Sequence, residues 1–238
     1  MRIVIVDDDR EFVTLIKFLF EQEGHTVWTF YDYQQALAGW KRAHPHLMLI
    51  DVDLQNGNNG TELCHTIRAD STVPIIMISG KYRDTDDEVK GLNLGADLYL
   101  TKPIEPKRLT AYVKALRYRA QARPEEELSS LDPILGAGDA RLNGSDIQIH
   151  LESYEVYKGN NKITLTATEF RLLYVLMSNR GRVLSPDFIC ERLWGSDEPE
   201  LTRTLKTHIS RLRDKLGDNA RDARYIGTIV GLGYVFKT

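Results

Sequence analysis

Residues 3–9 read "IVIVDDD". Four β-branched residues run directly into three carboxylates, Asp7, Asp8 and Asp9. The apolar run has the composition of a strand buried on both faces, and the aspartates mark where it ends. Like charges side by side repel, so their crowding requires a compensating partner. Four further apolar runs follow: "HTVWTF" (25–30), "LMLI" (47–50), "PIIMIS" (74–79) and "DLYLT" (97–101). Helical patterns separate them. The clearest places Phe12, Leu15, Ile16, Leu19 and Phe20 on one face, and others run through Trp40, Ile67, Leu92 and Val113. Five strands alternating with five helices predict an α/β doubly wound parallel sheet covered on both sides.

The chain of 238 residues has room for two domains of ordinary size. No stretch approaches the ~20 apolar residues of a membrane span. The opening, an apolar run cut short by three aspartates, does not read as a signal peptide. Cys64 and Cys190 lie far apart without metal-ligand spacing and are expected to be buried, reduced thiols of a cytoplasmic protein. The formal net charge of −3 hides a local basic cluster: Arg203 to Lys215 holds five basic residues and one acid. Such a cluster says more about partners than the total does.

Residues 1–120 form the first expected domain. A linker is expected over 121–142, where "RPEEELSSLDP" combines proline, serine and consecutive glutamates. Residues 143–238 read differently. "IQIHLESYEVYKGNNKITL" (147–165) alternates like an antiparallel meander with a turn at Gly159-Asn160-Asn161. Thr166 followed by Glu169 is a capping-box signature, and Ser185-Pro186 marks a second helix start. A third helix is expected from about Thr202 to Leu216, with Leu205, Ile209, Leu212 and Leu216 as its buried stripe. "SDEPEL" (196–201) would be the acidic loop before it, and Trp194 a core residue. "YIGTIVGLGYVFKT" closes the chain as two strands about a glycine-rich turn, completing an α+β winged helix-turn-helix.

In an open parallel sheet, ligands bind beyond the carboxyl ends of the strands. Those ends carry Asp7-Asp8-Asp9, Asp51, Ser79 and Lys102. A hard divalent cation among the carboxylates would relieve their repulsion, and oxygen ligands are what Mg²⁺ prefers. A carboxylate beside such a cation can attack phosphorus, with the Lys102 ammonium and the Ser79 hydroxyl placed for the phosphoryl oxygens.

These stretches, with "LMLIDVDL", "PIIMISG" and "GADLYLTKP", resemble the flavodoxin-like receiver domain of bacterial two-component response regulators. "LTATEFRLLYVL", "ERLWG", "RTLKTHISRLRDKL" and "GLGYVF" resemble the winged-helix effector of the OmpR/PhoB subfamily. The resemblance implies that Asp51 is the phosphoacceptor, charged by a histidine kinase. It implies that Asp7 and Asp8 hold Mg²⁺ with Asp51 and the backbone carbonyl of Asp53. Ser79 and Tyr99 fall at switch positions, Lys102 contacts the phosphoryl group, and Lys102-Pro103 is cis. It also implies a homodimer on phosphorylation, binding to double-stranded DNA at a direct repeat, and a contact of the acidic 196–201 loop with RNA polymerase. Two rivals are an aspartyl-phosphate enzyme, disfavoured by the basic third helix and wing, and a regulator that uses its receiver only to dimerise.

On the third effector helix, the face opposite the buried stripe carries Arg203, Lys206, Thr207, Ser210 and Arg211. A helix of this kind fits the major groove. By resemblance Thr207 and Arg211 read bases, while Arg203, His208, Arg213, Thr228 and Tyr234 contact phosphates. The chain also departs from the subfamily. "DVDLQNGNNG" has Gln55 where a proline is usual after the phosphoacceptor, and one extra residue before Gly60. At two contacts of the family's dimer surface, Glu88 with Arg108 reverses the usual charges, and Leu98 with Tyr112 would replace an ion pair by an apolar contact. Val230 stands where an arginine commonly enters the minor groove.

Overall fold

In a computed structural model of the protein, the described residues are 1–54, 59–80, 91–121, 146–151, 153–196 and 198–237. The chain divides into two compact units, Met1–Arg117 and Tyr118–Thr238. The expected linker, the loop through Gln55 and the position of Glu88 lie outside the described residues.

The first unit runs β1 (Arg2–Val6), α1 (Arg10–Gln22), β2 (Thr26–Phe30), α2 (Tyr33–Ala43), β3 (Leu47–Asp51), α3 (Gly60–Asp70), β4 (Ile75–Ser79), β5 (Leu98–Thr101) and α4 (Pro106–Gln121). The strands form one parallel sheet in the order β2-β1-β3-β4-β5. β1, β3 and β4 are buried almost end to end, as apolar runs without alternation require. One face packs Val4, Val6, Met48, Ile50 and Met77 against Ala36 and Trp40 of α2 and Leu63 and Ile67 of α3. The alternate residues Ile3, Ile5, Leu49 and Ile76 are equally buried on the other face.

Two expectations for the receiver are corrected by this packing. The buried stripe of α1 is Val13, Ile16 and Phe20, while Leu15 is 51% exposed. The buried face is shifted toward Val13, with Ile16 and Phe20 common to the expected and observed stripes, and Asp9 caps the helix by accepting from the backbone N–H groups of Glu11 and Phe12. Leu98 and Tyr112 are 0% and 1% exposed. They belong to the receiver core, so the apolar contact expected between protomers is a contact neither side chain can reach. Arg108 stays nearer the surface, and its Nε donates to the Tyr112 hydroxyl at 3.3 Å.

The second unit runs β6 (Ile147–His150), β7 (Glu155–Lys158), β8 (Asn161–Ile163), α5 (Ala167–Ser178), β9 (Val183–Leu184), α6 (Pro186–Trp194), α7 (Pro199–Leu216), β10 (Ile226–Ile229) and β11 (Gly233–Phe236). Two antiparallel three-stranded sheets, β6-β7-β8 and β10-β11-β9, flank the helices. Both expected helix starts are formed: the Thr166–Glu169 capping box is reciprocal, and Ser185 caps α6 with Pro186 in its first turn. The third helix begins three residues earlier than expected. Pro199 occupies its first turn, where the missing N–H costs nothing, and Leu201 is buried. The acidic loop therefore shrinks to the residues before Pro199. Its stripe Leu205, Ile209, Leu212 and Leu216 is fully buried as expected, and so is Trp194.

Because Tyr112 is a large, fully buried side chain, Tyr112→Ala should destabilise the receiver by about 3–5 kcal/mol. Denaturant unfolding checks this, and a loss below 1 kcal/mol would return Tyr112 to the surface.

Candidate functional site

The register of the parallel sheet brings the chemistry together. β1, β3, β4 and β5 end side by side, so Asp7, Asp51, Ser79 and the Lys102 that follows β5 share one edge. One carboxylate oxygen from each of Asp7, Asp8 and Asp51 lies within 4.8 Å of the others. Asp7 and Asp51 are buried, and Asp8 is half-buried. The Lys102 ammonium stands 2.7 Å from Asp7 Oδ2 and 3.3 Å from Asp51 Oδ1, with the face of the Phe12 ring 4.4 Å away. Backbone groups hold the carboxylates in place: the N–H of Asp9 donates to Asp7 Oδ1 and that of Asp53 to Asp51 Oδ2.

Ser79 is wholly buried, and its carbonyl accepts the Lys102 N–H at 2.7 Å. Tyr99 is partly buried on β5, and Lys102-Pro103 is cis. Asp53 bridges to Asn59, which closes the neck of the remodelled loop on an antiparallel pair. Gly60, the first residue of α3, is required there. A Cβ would come within 1.8 Å of the Asp51 carbonyl oxygen.

Burial, and next the charge of Asp7, push the Asp51 carboxyl up to about 6. Burial likewise raises Asp7. Burial alone would lower Lys102, but the hydrogen bond to Asp7 and the charges of Asp51 and Asp7 raise it. Three carboxylates face one ammonium, so the cluster carries an excess of negative charge in a setting of oxygen donors only. That donor set fits a hard divalent cation.

In the second unit, Arg203, Lys206 and Ser210 form an exposed row on α7. The other expected contacts are engaged differently in the fold. Thr207 is buried, and His208 is wholly buried with its ring on that of Trp194, centroids 5.8 Å apart. Arg213 turns inward, donating from Nε and Nη2 to the Ile226 carbonyl at 3.1 and 2.6 Å and from Nη2 to Thr228 Oγ1 at 2.8 Å. Tyr234 is buried beside β9. For His208, Arg213 and Tyr234 a phosphate contact is thus replaced by packing, because each lies where α7, α6 and the wing meet. Arg211 is paired with Glu169 at 2.9 Å. Sequence reasoning saw Glu169 only as a helix cap, since nothing local links it to a helix some forty positions on.

The wing turn is built for close approach. A Cβ on Gly233 would strike the Leu184 carbonyl at 1.9 Å, and Val230 at the tip is 93% exposed. Among the described residues no helix is long and apolar enough to cross a membrane.

Comparison with known proteins accounts for both units. The family described as "Response regulator receiver domain" matches residues 3–114, and that described as "Transcriptional regulatory protein, C terminal" matches 160–236. The alkaline phosphatase synthesis transcriptional regulatory protein PhoP of Bacillus subtilis is 37% identical, over 98% of this chain and 95% of its own. The regulatory protein VanR of Enterococcus faecium is 33% identical, over 98% and 97%. Among solved structures, the response regulator DrrB of Thermotoga maritima, described as an OmpR/PhoB homolog, aligns over 100% of this chain and 99% of its own at 27% identity and a TM-score of 0.50. A RitR mutant shares the fold over 99% of this chain and 98% of its own, at 23% identity and a TM-score of 0.70. The chain belongs to the two-component response regulators of the OmpR/PhoB type, transcriptional regulators that join a receiver to a DNA-binding domain. Receiver domains bind Mg²⁺ at an acidic pocket of the kind found here.

Two outcomes follow from this geometry. A carboxyl raised in the fold destabilises it once ionised, fully so above about pH 6 and not at all below its unfolded value of 3.8. Asp51→Asn should therefore raise stability at pH 7.5, in chelator, by about 1–2 kcal/mol after allowing for solvent screening, and the gain should shrink as pH falls below about 6. Thermal melting against pH tests this; a variant less stable at every pH would contradict it. At the wing, Val230→Arg should tighten DNA binding and steepen its salt dependence by about one counterion per monomer, with a new preference for A·T-rich flanks. Affinities measured against salt, on duplexes differing only in flanks, decide the matter.

Proposed function

We propose that Asp51 accepts a phosphoryl group from a histidine kinase and that this modification drives receiver dimerisation and binding of the effector to a direct repeat in DNA. The observation that carries the reading is the convergence of Asp7, Asp8, Asp51 and Lys102 at the end of β1, β3 and β5. An Asp51 carboxylate oxygen attacks phosphorus and the phosphoryl group leaves the kinase histidine, so one P–N bond breaks as one P–O bond forms. The Lys102 ammonium pairs with the developing charge, and the Ser79 hydroxyl bonds a phosphoryl oxygen. Asp7, Asp8, Asp51 and the Asp53 carbonyl would hold Mg²⁺, which when bound neutralises the transferring oxygens. Tyr99 and Ser79 would carry the change to the dimer surface, on which Arg108 stands; Glu88 is its expected partner.

Arg203, Lys206 and Ser210 are the groups of α7 best placed to meet DNA, and Thr228 is exposed on the wing. The short acidic turn before Pro199 is where a contact with RNA polymerase would fall. The protein would act in the cytoplasm, with residues 1–120 as receiver, 121–142 as linker and 143–238 as effector.

Labelling with a small phosphodonor tests the central assignment. Wild-type protein should take up acid-stable, base-labile phosphate in the presence of Mg²⁺, and Asp51→Asn should lose it almost completely. Labelling of Asp51→Asn at the wild-type rate would move the acceptor to another carboxylate, with Asp53 the first to examine.

A further inference from the structure

Glu169 has more to do than cap α5. Its side chain is wholly buried, yet it is held by three groups. Oε2 accepts from the Thr166 N–H at 2.8 Å and from the Lys215 ammonium at 2.6 Å, and Oε1 faces Arg211 Nη2 at 2.9 Å. Arg211 and Lys215 stand one turn apart on α7, so a single buried carboxylate clamps two cations of that helix. A buried carboxylate left unpaired is costly, so the fold favours keeping both cations on it, Arg211 largely enclosed and Lys215 reaching in from an exposed position.

The consequence is a count of charges. Of the five basic residues between Arg203 and Lys215, Arg213 is committed to β10, and Arg211 and Lys215 to Glu169. Arg203 and Lys206 lie on the exposed row with Ser210, and Lys215 is exposed too although its ammonium is held by Glu169. Every cation set on a phosphate adds affinity for any duplex whatever its sequence, while base contacts are untouched. Withholding two cations therefore lowers binding to any duplex by a similar factor and makes it less dependent on salt, while the preference between sequences is left to the base contacts.

We propose that Glu169 is a positioning residue that limits the effector's sequence-independent affinity for DNA: by clamping Arg211 and Lys215 it keeps two positive charges of the recognition helix off the phosphate backbone. The proposal rests on α7 being the DNA-reading helix. It makes Arg211 a strut of the domain in place of a reader of bases.

The test uses the full-length chain, a duplex selected by the wild-type protein from a random pool, and an unrelated duplex of equal length. In Glu169→Gln the two cations are released. Affinity for both duplexes should rise by a similar factor, the salt dependence of each should steepen by one to two counterions, and the preference between them should stay as in wild type. A mere loss of fold would weaken binding to both duplexes and could not steepen the slope. Lys215→Gln keeps the Arg211 pair and serves as the second arm. Its salt slope should match wild type on both duplexes, because the charge it removes is already withheld. If Lys215→Gln flattens the slope by about one counterion, or if folded Glu169→Gln keeps the wild-type slope, the proposal is wrong. Should Glu169→Gln fail to fold, the slope of Lys215→Gln decides alone. A wild-type protein that retains no duplex from the pool would instead refute the reading of α7 itself.

Discussion

The receiver is organised around a conflict: three carboxylates, two of them buried, are held within a few ångströms of one another at the end of a sheet. Repulsion on that scale survives only because the surrounding structure over-determines it. Asp7 and Asp51 are the last words of strands buried on both faces, so neither can retreat without breaking the sheet. Backbone N–H groups of Asp9 and Asp53 fix the carboxylate planes, and Gly60 lets α3 start directly against the Asp51 carbonyl. Lys102 offsets part of the charge, and its position in turn depends on β5 pairing in register with β4. Strain of this kind is common where function needs it. Here the raised carboxyl of Asp51 is the signature, and a dication or a covalently attached group at that edge changes the balance the whole edge was built around.

Most of the fold was legible because it follows from periodicity. Apolar runs without alternation located the five parallel strands, and Thr166–Glu169 and Ser185-Pro186 located two helix starts to the residue. The acidic edge was legible because parallel topology puts strand ends together whatever the sequence between them. What escaped was decided by tertiary packing. Periodicity alone could not say which residues of α1 face inward, because Val13, Leu15, Ile16 and Phe18 are all apolar and packing against the sheet chose Val13 and Ile16. Leu98 and Tyr112 looked like a surface pair because a family's surface pattern was laid over them. Large apolar side chains at those positions gain more from the core than from an intermittent partner.

The DNA-binding half shows the same limit more sharply. On a helical wheel, basic residues opposite an apolar stripe look uniformly available. The fold distinguishes among them. Arg213 reaches the backbone of β10 and so ties the reading helix to the wing, while His208 fills space against Trp194. These side chains position α7 from within, and their chemistry was readable from the sequence only as charge, not as direction. The wing so held ends in the exposed, uncharged side chain of Val230.

Both halves thus depend on buried ionic groups, and the balance of charge in each decides what it can take up. At the receiver edge three carboxylates share one ammonium, leaving negative charge that a cation can satisfy. At Glu169 one carboxylate holds two cations, so the surplus is positive and no metal is invited despite the buried acid. The outward surplus there is the more restricted because Arg211 is largely enclosed, its side chain 14% exposed. Burial makes each imbalance count, since low dielectric strengthens whatever is unpaired. A phosphoryl group added at Asp51 would add to the negative side of the first cluster, so a dication held there would count for more once the group is in place.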